Sequence, residues 1–407
     1  MNIEHGDYLL KDSPSDPWEL LSPDRRNEAF TINNYMLGEG RLNGDPNITL
    51  TQLSERLLAA GLPLDRCVTI VRILHASHTA SYRVWEKGLG ATANVFAHNP
   101  SSTGKYESSP SALAHQSRRW VIFNPQEVPE DAFEILPELK EAGLTHYICA
   151  PIFLVNGMEN VFTFATKNPA GFSAEDIALL QVTLPAIAAC QEILVVHRIL
   201  QEVTRMYLGE EPHKRILAGD VHRGEVTRIK SAILFADMRG FTSLTAEMTA
   251  EDATAILNEY YDCVVPAVED NGGEVLKFIA DGVLAIFRAG DDGSKACERA
   301  LCASESGLKA VDERNKTSVP SFEIGIALHL GEVAYGNIGS GMRLDYTVIG
   351  RDVNLAARLA GLCGPLDQRL LVSTEFANRV NGKSFIEHGK YQLKGLAEAE
   401  AVFAPVS

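Results

Sequence analysis

The sequence lacks the cysteine pairs of a disulfide-bonded or zinc-binding protein. Its seven cysteines are an odd number spread over 407 residues, and none forms a C-x-x-C pair. This scatter excludes a disulfide framework and any recognisable zinc site, and it is typical of a reducing compartment. The first residues have neither a basic start nor an apolar run, so we expect no signal peptide and a cytoplasmic location.

Positive charge is also scarce. The chain has 37 Lys and Arg against 53 Asp and Glu, which gives a formal net charge of −16. A surface of this sign repels nucleic acids and anionic membranes, so neither is an expected partner. An anionic substrate would therefore have to be held by a few local cations or by a metal ion.

The sequence has no clear membrane span. The most apolar window, residues 178–196, contains Gln181, Pro185, Gln191 and Glu192, and such polar side chains argue against a span. Because 45% of the 407 residues are apolar, the chain instead has enough material for two or three globular domains.

Residues 1–46 predict a loosely ordered lead-in, because they are rich in Asp, Asn, Gly and Pro and have little periodicity. One short helix is predicted within this segment, at about residues 23–34. Ser22 is a suitable N-cap for it, and Pro23 suits the first helical position.

Residues 47–185 alternate between helical and strand-like patterns. The predicted elements are helix 50–58, strands 67–74 and 81–85, helix 110–116, strand 120–123, helix 133–142, and strands 146–154 and 159–166. Asn156-Gly157 predicts a hairpin between the last two strands. This order, with the segments 147–154, 162–166 and 171–176, resembles a GAF domain. The resemblance implies a mixed α/β sensor domain that binds an unidentified small-molecule effector.

The sequence does not specify a cofactor for this domain. Phytochrome-type GAF domains attach a bilin through a Cys that precedes a His, and no Cys in this chain precedes a His. Five histidines could in principle ligate haem or a metal, although ordinary surface or hydrogen-bonded roles are the favoured interpretation. They are His75, His78, His98, His115 and His146.

A long helix is predicted to follow. Ser173-Ala-Glu-Asp176 has the form of a capping box, and Pro185 is expected to mark a kink where the helix leaves the domain. An apolar seam with steps of three and four favours a parallel two-stranded coiled coil, although packing on its own domain also fits. The seam comprises Ala186, Ala189, Ile193, Val196, Leu200, Val203 and Tyr207. We assign residues 186–227 to a signalling helix and linker.

The pattern changes again at about residue 228. The continuous apolar run 231–237 is typical of a strand buried on both faces. The elements predicted after it are helix 250–270, strands 274–279 and 283–287, helix 294–314 and strand 322–328. This is the βαββαβ order of the ferredoxin-like motif, so we predict an α+β fold for residues 228–407.

Two acidic residues terminate predicted strands in this region, Asp237 and Asp281. A carboxylate at the end of a buried strand is costly unless it is paired or binds a metal. Because the hairpin that turns at Asp281 would lie beside the first strand, the two carboxylates can converge. Hard oxygen anions of this kind suit Mg²⁺, although each Asp could also simply cap a turn.

Further polar residues lie where a packing role does not explain them. Asn354 and Arg358 are four residues apart in a predicted helix and so share a face. Lys277 lies in the middle of a strand. Lys394 precedes Gly395, a residue that lets a backbone or phosphate approach closely.

Together these residues resemble the catalytic domain of class III nucleotidyl cyclases, the adenylate and guanylate cyclase family. The resemblance covers about residues 228–407. It implies that Asp237 and Asp281, with the backbone carbonyl of Met238, bind two Mg²⁺, for which Mn²⁺ would substitute. It also implies that Asn354 and Arg358 stabilise the transition state and that Lys394 holds the triphosphate.

The resemblance further implies that Lys277 and Thr347 read the base. Lys277 would donate to the acceptor N1 of adenine and Thr347 would accept from the 6-amino group, so ATP is the expected substrate and cyclic AMP the product. Guanylate cyclases have an acidic and a small residue at these places. Thr347 also marks a bacterial subgroup with members that respond to bicarbonate, which makes bicarbonate an expected effector. Glu332 departs from the family, since some relatives have a phosphate-binding Arg there.

In this family each active site takes its metal-binding Asp residues from one subunit and its other residues from the partner. The resemblance therefore implies a homodimer with two equal sites. The seam upstream would hold the two chains in parallel, so that a ligand of the sensor domain could regulate closure of the interface.

Three other functions fit parts of this sequence pattern. A guanylate cyclase remains open, and so does a non-catalytic protein that only dimerises or senses a nucleotide. Gly272-Gly-Glu-Val-Leu276 resembles the G-G-[DE]-E-F signature of diguanylate cyclases, but Val275 and Leu276 break it.

Overall fold

The computed structural model describes residues 8, 16–73, 78–97, 106–290, 292–394 and 398–406. The chain divides into two compact units, Met1–Val203 and Thr204–Ser407. Both units mix helices with β-strands, in agreement with the predicted α+β class.

The first unit is built on one antiparallel sheet. Its strands are β1 (Arg66–Arg72), β2 (His78–Glu86), β3 (Gly90–Ala97), β4 (Val121–Phe123), β5 (His146–Phe153) and β6 (Glu159–Thr166). They lie in the order β3-β2-β1-β6-β5-β4. The predicted Asn156-Gly157 hairpin joins β5 to β6, with Gly157 at a φ of 81° that suits glycine in a tight turn. β3 was not predicted.

Helices cover both faces of this sheet. They are α1 (Pro23–Tyr35), α2 (Pro46–Ala59), α3 (Pro110–Ser117), α4 (Leu136–Glu141) and α5 (Ala174–Leu208). Residues of α1, α2 and α5 share one apolar core, and residues of α3 and α4 share the core on the opposite face. The sheet is thus the middle layer of this unit.

The expected lead-in is not loosely ordered where the structure describes it. Helix α1 begins after Ser22, as predicted, and it buries Ala29, Ile32 and Tyr35 in the core. Apolar burial of this kind offsets the entropy lost on ordering a segment. The composition of residues 1–46 predicted disorder because polar residues far outnumber these few apolar ones.

Helix α5 begins with the predicted capping box. The Asp176 N–H donates to Ser173 Oγ at 3.1 Å, and the Ser173 N–H donates to Asp176 Oδ2 at 2.9 Å. Contrary to the prediction, the helix does not leave the first unit at Pro185. Ala186, Cys190 and Val195, which follow it, are still buried in that unit.

Part of the predicted apolar seam of α5 is exposed. Ile193, Val196, Leu200 and Tyr207 are 45%, 44%, 49% and 78% exposed. By length and composition α5 could cross a membrane, yet half of its most apolar window is buried inside the protein. The absence of a membrane span stays a prediction.

The second unit contains a larger sheet. Its strands are β7 (Val226–Met238), β8 (Glu274–Ile279), β9 (Gly282–Arg288), β10 (Ile324–Gly339), β11 (Leu344–Ile349), β12 (Leu370–Ser373), β13 (Phe385–Tyr391) and β14 (Glu400–Pro405). The order is β13-β14-β12-β10-β7-β9-β8, and β11 pairs with the far half of β10. Strands β10-β7-β9-β8 have the spatial order expected of a ferredoxin-like motif.

The helices of the second unit lie on both faces of its sheet. They are α6 (Glu210–Ala218), α7 (Phe241–Leu244), α8 (Ala250–Asp270), α9 (Ser294–Thr317), α10 (Arg351–Ala360) and α11 (Thr374–Ala377). α8 and α9 pack on the face that carries Leu234, and α10 packs on the face that carries Ile233. Alternate residues of β7 therefore enter different cores, which explains its continuous apolar run.

Gly336 gives a test of how tightly β10 packs. A β-carbon at Gly336 would overlap the backbone oxygen of Glu225 and lie 2.8 Å from the Val226 Cα. We expect Gly336→Ala to lower the free energy of unfolding by about 1–3 kcal/mol, the usual cost of overpacking. Urea unfolding of the wild type and the variant measures this change in the free energy of unfolding. Gly341→Ala is the control, because a β-carbon there meets nothing within 4 Å; equal stability of the two variants would contradict the close packing.

Candidate active site

The two predicted metal-binding carboxylates converge. Asp237 is the penultimate residue of β7, and Asp281 lies in the turn between β8 and β9. Asp237 is directly opposite Gly282 in the β7–β9 ladder, so the neighbouring Asp281 side chain comes within hydrogen-bonding reach of Asp237. The register of the β7–β9 ladder thus brings Asp237 and Asp281, which are 44 residues apart in the sequence, together as one acidic pair.

The electrostatics of this pair favour a bound cation. Burial, followed by the charge and the hydrogen bond of Asp281, raises the pKa of Asp237 to about 6. The backbone N–H of Met238 opposes this increase. Among the described residues there is no group of three or more His, Cys, Asp or Glu side chains that could hold a metal ion. Two carboxylates are nevertheless what Mg²⁺ needs when substrate phosphate and water complete its shell.

The turn that carries Asp281 is held in place by its neighbours. Ala280 has a φ of 51°, in the left-handed region, and its carbonyl oxygen accepts a hydrogen bond from Tyr261 Oη at 2.7 Å. Tyr261 also contacts Phe278, with ring centroids 4.4 Å apart. Helix α8 therefore helps to fix the position of Asp281.

Lys277 and Thr347 belong to a second cluster. Lys277 Nζ forms an ion pair with Asp345 Oδ2, and Asp345 and Thr347 are two residues apart in β11, on one face of the strand. Asp345 was not predicted. The alternation within Leu344-Asp-Tyr-Thr347 places it beside Thr347, but only the fold brings it to Lys277, 68 residues away in sequence.

Asn354 and Arg358 share the outer face of α10, as predicted. Leu355, Ala356 and Leu359 are buried beneath the helix, whereas Asn354 is exposed and Arg358 is partly exposed. Within the described ranges neither side chain has a hydrogen bond or an ion pair to another residue. Both are available for a ligand.

The buried His329 contacts the start of α10. This role was not predicted from the sequence. Asp352 Oδ2 accepts from the backbone N–H of Glu332 at 2.7 Å, and Asp352 Oδ1 lies 3.7 Å from Nε2 of His329. The nearby His329 imidazole, together with the backbone N–H of Glu332, lowers the pKa of Asp352. His329 is 4% exposed and contacts Ser373 Oγ at 2.7 Å. α10 is thus tied to β10 two residues before Asn354.

Some residues considered as site residues in the sequence lie outside both the acidic pair and the Lys277 cluster. Lys394 is exposed, lies three residues beyond the end of β13, and has no partner among the described residues; Gly395 lies outside them. Glu332 pairs with Arg228 at 2.8 Å on the surface. Of the five histidines considered as ligands, the structure describes the side chains of His115 and His146. His115 contacts Tyr106 and Asn160, and His146 accepts from the Phe172 N–H.

Comparison with known proteins finds a family match within the second unit. Residues 226–404 match the family model described as adenylate and guanylate cyclase catalytic domain. An adenylate cyclase of Anabaena cylindrica is 31% identical over 198 residues, and a terminal-differentiation specific adenylate cyclase of Dictyostelium discoideum is 30% identical over 194 residues. Each match covers 45% of this chain, but this chain spans only 39% and 9% of the respective relatives.

Solved structures also match this region. The adenylyl cyclase CyaB from P. aeruginosa is 28% identical, with a TM-score of 0.40, and covers 45% of this chain and 96% of its own. The guanylyl cyclase Cya2 is also 28% identical, with a TM-score of 0.39, and covers 44% and 93%. Residues 226–404 are therefore a class III adenylate/guanylate cyclase catalytic domain, on the strength of the family model.

The raised pKa of Asp237 predicts how stability changes with pH in the absence of metal. The folded protein keeps the Asp237 proton up to about pH 6, whereas the unfolded chain loses it near its ordinary value of 3.8. Stability of the wild type should therefore fall as the pH rises from about 4 to 6. We expect Asp237→Asn to be more stable than wild type above pH 6 by about 1–2 kcal/mol, since solvent screens a partly exposed carboxylate.

Urea unfolding at several pH values with EDTA measures this difference. Asp262→Asn, on the exposed side of α8, is the control and should follow the wild type. An unchanged pH profile in Asp237→Asn would show that the fold does not raise the pKa of Asp237.

Proposed function

We propose that this protein is an adenylate cyclase that converts ATP to 3′,5′-cyclic AMP and pyrophosphate at a homodimer interface. The observation that carries the proposal is the convergence of Asp237 and Asp281 at the end of β7, within a cyclase catalytic domain. In the reaction the ribose 3′-oxygen forms a bond to the α-phosphorus while the bond from that phosphorus to pyrophosphate breaks. The proton of the 3′-hydroxyl passes to solvent or to a phosphate oxygen.

Asp237 and Asp281 would hold Mg²⁺, with the backbone carbonyl of Met238 as a further ligand. When bound, two such ions would make the 3′-hydroxyl more acidic and neutralise the triphosphate. The two carboxylates repel each other without a cation, so the site favours a bound divalent ion over an empty state. Mn²⁺ should substitute because it accepts the same oxygen ligands.

Arg358 and Asn354 would act on the reacting groups. Arg358 offers a planar fork of N–H donors to the charge that develops on the phosphorus oxygens, and Asn354 would hold the ribose in position for attack. Asp352 and His329 would act on this step only indirectly, by fixing the start of α10. Lys394, exposed and unpaired among the described residues, would hold the triphosphate.

The Lys277 cluster supports ATP as the substrate over GTP. Lys277 is a donor, and adenine has an acceptor at N1 where guanine has an N–H. The ion pair with Asp345 orients the Lys277 Nζ toward the face of β11 that carries Thr347. Thr347 can accept from the 6-amino group. A guanylate cyclase is the second candidate function. GTP is therefore compared with ATP in the activity assay described below.

The β8–β9 hairpin supports a site shared between two chains. Lys277 and Asp281 are only four residues apart, yet Lys277 contacts Asp345 and Asp281 contacts Asp237. Within one chain they thus belong to different clusters, as expected if each serves a different active site. Phe278 and Ile279 between them are 51% and 46% exposed, which suits an apolar contact with a second subunit.

We further propose that the first unit is a GAF-like sensor domain, at residues 47–185, and that residues 186–227 transmit its signal. The antiparallel sheet covered by helices on both faces supports this assignment. The exposed Ile193, Val196 and Leu200 support pairing of α5 with a second copy. Bicarbonate as an effector of the catalytic domain, residues 228–407, and the cytoplasmic location stay predictions.

Direct assay tests the catalytic proposal. Purified protein with ATP and Mg²⁺ or Mn²⁺ should form cyclic AMP, and GTP should give much less cyclic GMP. We expect Asp237→Ala and Asp281→Ala each to reduce turnover to below about 1% of wild type, because each removes half of the metal-binding pair. Asp262→Ala should remain active. Bound nucleotide without product in the wild type would instead indicate a non-catalytic protein.

Mixing two inactive variants tests the shared site. Asp237→Ala and Arg358→Ala should each be inactive as homodimers. After both are unfolded and refolded together in equal amounts, about half of the dimers are mixed and each holds one intact site, so about a quarter of wild-type activity should return.

The control for this experiment is a mixture of Asp237→Ala with Asp281→Ala, which removes the same cluster from both chains and should stay inactive. If the first mixture is as inactive as its parents, although mixed dimers are present, the active site is not shared between subunits.

A further inference from the structure

The first unit contains a small, partly open cavity. It lies between the sheet, α2 and α5, and has a volume of about 50 Å³. One water molecule needs roughly 10–15 Å³ of such space, so the cavity can hold a molecule the size of several waters. Its walls are mainly apolar, with Leu50 from α2, Val71 and Phe162 from the sheet, and Ile187 and Leu194 from α5.

Arg83 lines this cavity and has no counterion in the part of the chain that the structure describes. It is 5% exposed, its Nε is buried without a hydrogen-bond partner, and none of the described residues forms an ion pair with it. Burial is the main cause that lowers the pKa of Arg83, followed by the charge of Arg198. A guanidinium buried without a partner is costly, and a bound anion would offset that cost.

The acidic residues around Arg83 do not take the place of an anion. Asp45 and Glu202 raise the pKa of Arg83, but neither lies within the 4.0 Å of an ion pair. Glu202 is instead engaged by Arg198, whose Nε donates to Glu202 Oε1 at 2.7 Å. Arg83 therefore remains the uncompensated charge of the cavity.

Other unpaired polar atoms lie beside Arg83. Ser81 is two residues before it in β2, on the same face, and its buried Oγ has no partner. Thr69 in β1 is directly opposite Arg83, and its Oγ1 accepts from Gln191 Nε2. Gln191 Oε1 is left buried and unpaired. One unpaired cation, one unpaired hydroxyl and one unpaired amide oxygen thus line the cavity, which the paired Arg198 and Glu202 also line.

We infer that this cavity binds a small monocarboxylate with a short apolar body. The carboxylate would pair with Arg83 and accept from Ser81 Oγ, and the apolar body would lie against Val71, Phe162 and Leu194. Gln191 Oε1 is an acceptor that an α-amino acid would satisfy with its ammonium and a simple fatty acid would not. This inference names the ligand class of the proposed sensor domain, and it does not depend on the cyclase reaction.

The inference is tested by binding to the full-length protein, with no need for enzyme activity. The probes are monocarboxylates of one to five carbons, aliphatic α-amino acids such as L-valine, and butyramide as the uncharged match of butyrate. We expect at least one carboxylate to bind in calorimetry and to raise the melting temperature, whereas butyramide does neither. Tighter binding of L-valine than of butyrate would assign the ammonium to Gln191.

Arg83→Met separates a ligand-binding arginine from a structural one. Because it removes an unpaired buried charge, the variant should be at least as stable as the wild type without ligand, and it should bind the carboxylate at least tenfold more weakly. Arg72→Met, on the exposed side of β1, is the control and should bind like the wild type.

Three results would overturn the inference: no carboxylate binds the wild type, Arg83→Met binds as well as the wild type, or Arg83→Met unfolds, which would make Arg83 structural. Each result leaves the cyclase assay unaffected, so failure of this inference and failure of the proposed cyclase activity are distinguishable.

Discussion

The candidate active site depends on two carboxylates that the fold holds close together and partly out of solvent. Asp237 and Asp281 are brought together by the β7–β9 register and by the turn that Tyr261 holds. The unit gains nothing in stability from this contact, since the raised pKa of Asp237 means that its charged form is disfavoured in the fold. Apolar cores on both sides of β7 keep the strand in place despite this cost. The arrangement makes sense for a site that acts only when a cation lies between the two groups.

The residues expected to act on the nucleotide are supported by contacts that lie outside the active site. Asp345 orients Lys277, and the contact of Asp352 with His329 ties α10 to β10. Such supporting contacts reduce the motion of a functional side chain, which preserves the geometry that catalysis needs. Helix α10 presents Asn354 and Arg358 to solvent, because Leu355 and Leu359 are buried beneath it.

Local signals in the sequence predicted much of this structure. Helix α8 and strand β8 have the predicted bounds, because an N-cap at Thr249 and the turn at Asn271-Gly272-Gly273 fix their ends. The capping box of α5 and the convergence of the acidic pair were also predicted. Strand β3 was missed because Ala91, Thr92, Ala93 and Asn94 are partly or fully exposed and have no alternation of apolar and polar residues.

Long-range contacts could not be predicted in the same way. The pairing of Lys277 with Asp345 depends on how two hairpins pack, and the contact of His329 with Asp352 depends on how α10 meets β10. Arg83 alternates normally within β2, so no pattern distinguishes it from an exposed arginine. Its burial follows from the packing of α2 and α5 over that face.

The short distance between Lys277 and Asp281 has an evolutionary consequence. Inserting or deleting one residue between them would either reverse the face of β8 on which Lys277 lies, because side chains alternate along a strand, or move Asp281 out of its place in the turn beside Asp237. The pair of Lys277 with Asp345 and the pair of Asp237 with Asp281 would then lose their present spacing. Loops elsewhere in this unit can vary in length among descendants of this sequence, but the tip of this hairpin should be almost invariant in length.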